Sequence, residues 1–497
     1  MKKMGWQEVK APADKGHERK NSRMRRKTSL MTILILAIGA VLAGCAGIPT
    51  REEKRAREDL RTTETVYRPE NSKPPLPTLT ENSSLSDLIQ YGLLNNPRVE
   101  AAFYEWKASV EAITVARSLP DPMLNLSAEI MDGVVEALTP GLMTDPMANW
   151  PVPSKLGLRA DAAYGETLMK RAAFENELLT AALQVKRAYY QLWVVDEQIR
   201  WTHEILTVVD DMERLARERL AVGKVMQQDV LRAQIERDRL RTQLANLEDS
   251  RTTIVARMRS ALGTGPDQPL PAFALSLEPT PPDFTEQSLM EIAFERNPRL
   301  KEMKGQVLQA VALYHLAQKS KVPDFAFGLE ANVKVSPVPF MPFFGITLPI
   351  WRDKIAAEIA SGSAEVGSAE AKLSAEELEL AVMFAETAFG WREADRNVNL
   401  YGDRLIPKAK ASLESARAGY SSGVSSFLDV LDTERMLLEY YMNHAMAVGE
   451  REIMLAEMSL VILGRWPQGV EELLSPQQSS DFEYEQRQPI RPTKGKR

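Results

Sequence analysis

The sequence predicts a mainly α-helical protein with a small β part, built as two copies of one long helical hairpin. Residues 416–432 (ARAGYSSGVSSFLDVLD) echo residues 216–232 (ARERLAVGKVMQQDVLR). Ala216 falls on Ala416, Arg217 on Arg417, Gly223 on Gly423 and Asp229 on Asp429, followed by Val-Leu in both. A shared Asp-Val-Leu is chance, but Gly-x5-Asp-Val-Leu with Ala-Arg ahead of it is an internal repeat. Residues 88–97 (LIQYGLLNNP) likewise match 289–298 (LMEIAFERNP), offset by 201 where the two glycines are offset by 200. Between these landmarks run long helical patterns, and period-two alternation is confined to two short segments.

In chain order, residues 1–44 read as a leader and signal peptide. Met24 opens a positive segment with Arg25, Arg26 and Lys27, and residues 30–42 are a thirteen-residue apolar run. That run is short for a membrane span and suits an export signal. Either Met1 or Met24 serves as the start. Leu42-Ala43-Gly44-Cys45 resembles a bacterial lipobox, which implies cleavage before Cys45 and lipidation (palmitate) of the protein there. Ala46, rather than Asp, implies delivery to the outer membrane. Cys45 is the sole cysteine, so no disulfide framework exists. A formal net charge of −6 argues against a nucleic-acid partner.

Residues 45–82 are polar and read as an extended, lipid-anchored tether. A first repeat follows at 83–262 and a second at 285–466, joined by a Pro-rich linker at 263–284; a polar tail, 467–497, is expected to be disordered. In each repeat a helix stops before Asn-Pro (Asn96-Pro97, Asn297-Pro298) and another starts on the proline. Past Pro120-Asp121 and Pro323-Asp324 the pattern alternates. Leu124, Leu126, Ala128 and Ile130 face one way and Asn125, Ser127, Glu129 and Met131 the other. Phe325, Phe327, Leu329, Ala331 and Val333 oppose Ala326, Gly328, Glu330, Asn332 and Lys334 in the same manner. Return strands are expected at 148–152 and 344–350, with loops at 132–147 and 336–343. Four strands cannot close a barrel and an open edge cannot survive in lipid, so membrane-spanning strands would need several chains to share one barrel.

Two helical patterns of 68 residues, 155–222 and 354–421, come next, each roughly 100 Å long at ~1.5 Å per residue. Pro407 predicts a kink in the second. Leu178, Ala182, Val185, Tyr189 and Leu192 step by four and three, a coiled-coil seam. One thin chain has little with which to cover such a seam, so neighbouring copies are expected to do it. Gly223 and Gly423 mark the hairpin turns, where Gly adopts a left-handed cap at least cost, and Ser425 or Ser426 can cap the descending helix.

Catalytic constellations are missing. His17, His203, His315 and His444 are scattered without ligand spacing and no Gly-rich phosphate loop precedes a helix, so no enzyme, cofactor or metal site is expected. Most carboxylates read as solvated helix faces.

The lipobox, the duplicated Asn-Pro helices, the two strand pairs and the two Gly-x5-Asp-Val-Leu hairpins together resemble the TolC family of outer-membrane efflux proteins, over about 84–466. The resemblance implies a homotrimer, in which a trimeric α-helical barrel crosses the periplasm and four strands per chain build a shared twelve-stranded transmembrane β-barrel. It implies a passive exit channel of a tripartite efflux system. The partners would be a periplasmic adaptor (membrane fusion) protein, an inner-membrane pump of the resistance-nodulation-division (RND) type, and outer-membrane lipid. It further implies an aperture of acidic rings at Asp429 and Asp432, and a latch in which Tyr420 bonds Asp229. Ser425 stands where an Arg adds a further latch in the family, so that latch is not implied. Glu129, Glu330 and Asn332 would face the barrel lumen. Two alternatives are an outer-membrane duct of type I protein secretion and a pore-less periplasmic coiled-coil lipoprotein scaffold. Cargo is open among drugs, metal ions and proteins; Met131, Met143, Met147 and Met341 would suit soft Cu(I) or Ag(I), or serve as plain apolar filler.

Overall fold

The computed structural model describes residues 49–80, 83–144, 149–267, 275, 277, 286–335 and 337–467. The leader, Cys45, Met147 and the tail beyond 467 lie outside them. The described chain divides into a sheet unit, containing Thr114–Gly157 and Val322–Ile350, and a helical unit that takes in Arg51–Ile113, Leu158–Lys321 and the chain from Trp351 onward.

In the helical unit the first element corrects the expected extended tether. Residues Arg51–Tyr67 form helix α1. The segment is highly charged, but Ala56, Leu60, Thr63 and Tyr67 fall on one face and are buried. Arg68 ends the helix fully buried, donating to the carbonyls of Tyr67 (2.8 Å) and Leu94 (3.0 Å) with its guanidinium over the Tyr67 ring.

Helices α2 (Leu85–Asn95) and α3 (Pro97–Arg117) flank Asn96-Pro97. The long ascending helix α4 (Pro153–Ala221) and its descending partner α5 (Gln227–Leu262) complete the first repeat. The second repeat answers with α6 (Glu286–Arg296), α7 (Pro298–Gln318), α8 (Arg352–Asn399), α9 (Ile406–Ser422) and α10 (Phe427–Glu457). The Asn of each Asn-Pro does two jobs. Asn96 accepts from the Arg98 N–H and donates to the Ala261 carbonyl. Asn297 accepts from the Arg299 N–H and donates to the carbonyls of Val461 and Ile462. Each repeat is thereby tied, start to finish, by one amide. Beside each tie a positive-φ glycine ends the descending helix, Gly263 (φ 67°) and Gly464 (φ 59°). A side chain there would also run into the carbonyl oxygen of Asn95 or of Arg296.

The two copies differ in length, and the differences are localised. Forty residues separate Gly223 from Gly263, but forty-one separate Gly423 from Gly464. The extra residue coincides with a π-helical turn, Met458–Ile462. Sixty-eight residues separate Lys155 from Gly223 and sixty-nine separate Lys354 from Gly423, and a second π-turn, Leu400–Leu405, lies in that interval. A π-turn absorbs one added residue without unwinding the helix around it. The interruption expected at Pro407 takes this form: its missing N–H falls just beyond the π-turn, at the second residue of α9.

Leu178, Ala182, Val185, Tyr189 and Leu192 are all buried within the single chain. The expectation that neighbouring copies must cover this seam is therefore wrong. Most of it joins one apolar cluster with Leu88, Leu93, Phe103 and Trp106 from α2 and α3, Met258 from α5 and Ile453 from α10, so the chain is thicker than a lone hairpin. Apolar side chains do stay exposed elsewhere, on α8 at Leu378, Val382 and Phe389.

The sheet unit holds four antiparallel strands in sequence order: β1 (Pro122–Met131), β2 (Val134–Thr144), β3 (Phe325–Ala331) and β4 (Phe340–Ile346). Both return strands lie earlier than expected. Asp132 and Gly133, at φ 51° and 79°, form a two-residue hairpin turn that brings β2 back at once. The segment read as a loop, 132–147, is mostly strand, and it runs through Pro140. Trp150, in the segment read as the strand, makes only an isolated bridge to Phe325.

The register sorts the faces. Leu124 pairs with Leu142 and Leu142 with Leu329, which pairs with Pro342. Leu126 with Pro140, Ala128 with Leu138 and Phe327 with Phe344 extend this face, which is apolar except at Thr144, opposite Pro122 at its end, whose hydroxyl accepts from the Phe327 N–H. A bulge past Glu129 leaves Glu136 unpaired, so Ile130 meets Val135 and the apolar face continues. Asn125, Ser127, Glu129, Thr139 and Glu330 occupy the opposite face. Strands β1 and β4 are open edges. No helix among the described residues is long and apolar enough to cross a membrane, which says nothing of a β-barrel.

Candidate functional site at the hairpin turns

The duplicated turns end their ascending helices alike. Gly223 (φ 71°) and Gly423 (φ 80°) are left-handed, and the following N–H reaches five residues back, Lys224 to the Arg219 carbonyl and Val424 to the Gly419 carbonyl. The descending helices start differently. Ser426 accepts from the Asp429 N–H (3.2 Å), and the Asp429 carboxylate accepts from the Ser426 N–H (2.8 Å), a complete capping box. The Ser426 hydroxyl and N–H hold the Asp429 carboxyl below its ordinary value. In the first hairpin Met226 stands at the cap, so only the Asp229 carboxylate contributes, accepting the Met226 N–H at 3.4 Å.

Asp429 and Asp432 are both exposed. Asp432 is not a free charge, because Arg435 one turn on lies 3.5 Å away. Arg232, at the position equivalent to Asp432, makes no ion pair among the described residues.

The implied bond from Tyr420 to Asp229 is not formed in the chain. The Tyr420 hydroxyl is buried without a partner, and burial pushes its pKa up. What holds Tyr420 is Arg219 of the first hairpin. Its guanidinium lies over the Tyr420 ring, 4.4 Å from the centroid, and donates to the backbone carbonyls of Tyr420 (2.8 Å) and Ser421 (3.3 Å). Around it Val230, Val430, Leu431 and Phe427 form one apolar cluster with Tyr420. Leu231, the copy of buried Leu431, is 49% exposed instead.

Beyond the turns lie three buried carboxylates, Glu213, Glu236 and Glu434, which depart from the solvated helix faces expected of such residues. Glu213 accepts from Arg217, Arg237 (2.6 Å) and Gln234 (2.9 Å). Glu236 accepts from Arg239 of its own helix and from Arg435 of the second hairpin. Burial opposes ionisation at both, yet the surrounding arginines outweigh it and hold each below the ordinary value. Glu434 has one arginine, Arg417 at 2.8 Å, and its Oε2 has no partner; there burial prevails and its pKa is raised. The missed signal is spacing. Glu434 lies four residues from Val430 and Leu438 and three from Leu431 and Leu437, inside the apolar stripe.

The arrangement has no groups poised for bond making. It is a pair of tips carrying exposed carboxylates, tied hairpin to hairpin by Arg219 and Arg435. Among the described residues no group of three or more His, Cys, Asp or Glu could hold a metal ion. In the sheet, Glu129 is exposed on β1, and Glu330 lies across Gly141, whose missing side chain leaves it room. Asn332, just past β3, accepts from the Lys334 N–H at 3.1 Å.

The family model described as outer membrane efflux protein matches residues 88–264 and again 289–462, once per repeat. The chain is 20% identical over 365 residues to the cobalt-zinc-cadmium resistance protein CzcC of Cupriavidus metallidurans, a match covering 72% of this chain and 84% of that protein. Its fold is similar to that of the outer membrane protein VceC of Vibrio cholerae, with TM-score 0.64 and 18% identity over 77% of this chain and 96% of that one. It is equally similar to the open state of the MtrE outer membrane channel of Neisseria gonorrhoeae, with TM-score 0.64 and 17% identity over 79% and 97% of the two chains.

Proposed function

Because the chain belongs to the outer membrane efflux protein family, we propose that it is a passive exit duct, a homotrimer lipidated at Cys45 and seated in the outer membrane. In this reading it is the last part of a tripartite efflux system. A periplasmic adaptor and an inner-membrane pump of the RND type deliver the cargo and supply direction and energy, and the chain itself catalyses no reaction. The observation that carries it is the sheet: one face is apolar but for Thr144 at its end, and both edge strands are open on their outer sides. Such a sheet satisfies its backbone in lipid only by joining others into a closed barrel. The scaffold alternative gives that face no purpose.

The reading gives the hairpin turns the role of a gate. Three copies gather Asp429 and Asp432 around one axis, where like charges repel and cations concentrate. Arg219 and Arg435 oppose that repulsion within each chain by tying one hairpin to the other. Single-channel recording from the purified protein in planar bilayers tests the proposal. Discrete, cation-preferring conductance steps are expected, and a protein that inserts without conducting would sink it.

A further inference from the structure

The internal repeat also says how one copy should meet the next. Within the chain, the first repeat joins the second through strands β2 and β3. Gly141 pairs with Glu330, Leu142 with Leu329 and Met143 with Gly328, and the Val333 N–H extends the ladder to the Leu138 carbonyl. The junction is pinned at one end by Lys155. Its ammonium donates to the Asp324 carboxylate at 2.8 Å and to the Val322 carbonyl at 2.7 Å, and its side chain is only 9% exposed.

Each partner in this junction has a counterpart left without one. Asp324 corresponds to Asp121, since both follow the proline that ends the preceding helix. Lys155 corresponds to Lys354 at the start of the other long helix. Asp121 is exposed and makes no ion pair among the described residues. The Lys354 side chain is 72% exposed, with a single loose contact to Glu358 at 3.6 Å. Strand β3 corresponds to β1 and β2 to β4, the two open edges. The same half-junction therefore occurs twice in the chain, made once and left open once.

In a shared barrel the next copy supplies the missing half, and we infer the residues at that seam: β4 meets β1 of the next copy in the register of the β2–β3 junction, and Lys354 clasps the partner's Asp121. Transferring the register through the hairpin pairings places Phe344 opposite the partner's Leu126. It places Phe343 opposite the partner's Ser127 and Gly345 opposite the partner's Asn125. The transfer keeps the faces consistent. Phe344 and Leu126 both belong to the apolar face, and Phe343 and Ser127 both to the other, as a one-residue slip would not allow. The contact is head-to-tail, so it closes into a ring rather than a two-fold dimer. This inference rests on the trimeric reading above and adds the residues that meet.

Paired cysteines in the full-length protein test the register. Residues directly opposite in an antiparallel ladder have Cα atoms about 4.5–5.5 Å apart, inside the roughly 4.4–6.8 Å window of a disulfide. Oxidised membranes carrying L126C with F344C should give covalent dimers and trimers on non-reducing gels. L124C with F344C, slipped by two residues, should give few, and the parent with Cys45 alone sets the baseline. In parallel, K354E and D121K should each lower the trimer's resistance to detergent, and the double swap should restore it. A trimer by light scattering that links through 124 and 344 but not 126 and 344 overturns the register and leaves the channel reading standing. So does a bond formed within one chain. Singles that weaken the trimer with no recovery in the double overturn the Lys354 clasp. A monomer with no crosslink in either pair overturns the trimeric reading itself.

Discussion

Arg435 donates from both Nε and Nη2 to one oxygen of Glu236, at 2.9 and 2.6 Å, across two hairpins whose sequences are 199 residues apart at this point. A tie between equivalent arms of a duplication sets their relative position, and Glu236 is buried where water competes little. Arg435→Met leaves Glu236 held by Arg239 alone. A hydrogen bond to a charged group contributes about 1.5–3 kcal/mol. Loss of that order is expected in thermal melts in detergent, with more frequent openings in bilayer recordings. The double variant Glu236→Gln with Arg435→Met should lose less than the two singles together.

Tyr420→Phe separates the two possible latches. The hydroxyl is buried with no partner, so its removal should not destabilise the protein and should leave conductance unaltered. Arg219→Gln removes the ring contact and weakens both carbonyl bonds, and should raise open probability. A Tyr420→Phe channel that opens more readily would show that the hydroxyl is engaged in the assembled trimer.

The carboxylates beyond the turns give opposite pH arms. Glu213 and Glu236 are held below the ordinary 4.5, so their stabilisation is complete above that value and is lost as pH falls through their lowered pKa values. Glu434 is raised, so its contribution is complete below 4.5 and is lost as pH rises. Helical melting temperature should therefore climb slightly as pH drops toward 4.5 and fall below it. Glu434→Gln should shrink the climb to what Glu302, also raised by burial, supplies, and keep the fall, as circular dichroism melts across a pH series would register.

Asp429→Asn with Asp432→Asn keeps an amide oxygen for the Ser426 N–H, so the turn should survive. The reversal potential in a salt gradient should shift toward zero as cation preference weakens. An unchanged potential moves the selectivity to Glu129 or Glu330 on the polar face of the sheet.

Leu329→Arg places a charge in the middle of the apolar face, at a cost of about 2–4 kcal/mol near a bilayer midplane. The yield of folded trimer in outer membranes should fall accordingly, whereas Ser127→Arg on the opposite face should be tolerated.

The duplication, the long helices and the turns were legible because each depends on local signals: a glycine past an apolar stripe, a proline after Asn, a period of two or of 3.6 residues. Strand ends were less so. Asp132-Gly133 is a hairpin signal, but a proline such as Pro140 is disfavoured inside a strand, and only the pairing with β1 shows that this strand tolerates it. The buried glutamates were hidden because a glutamate's charge favours solvent, although Glu213, Glu236 and Glu434 all fall inside apolar stripes. Arg219 was illegible: its hydrogen bonds go to the backbone carbonyls of Tyr420 and Ser421, which carry no side-chain signature.

The π-turns have a mechanical consequence. One residue added to an ordinary α-helix advances everything beyond it by about 1.5 Å and rotates it by about 100°. Such a change at residue 400 would swing every side chain from there to Gly423 onto a new azimuth, and Arg417 would no longer point at Glu434. By confining each surplus residue to a local widening, Leu400–Leu405 and Met458–Ile462 act as phase compensators that keep two arms of unequal length angularly aligned. Deleting one residue inside either turn should leave the azimuths intact and restore plain α-helix. Deleting one at Ala388 or Ala445, well away from both, should throw the same helix out of phase and cost the fold.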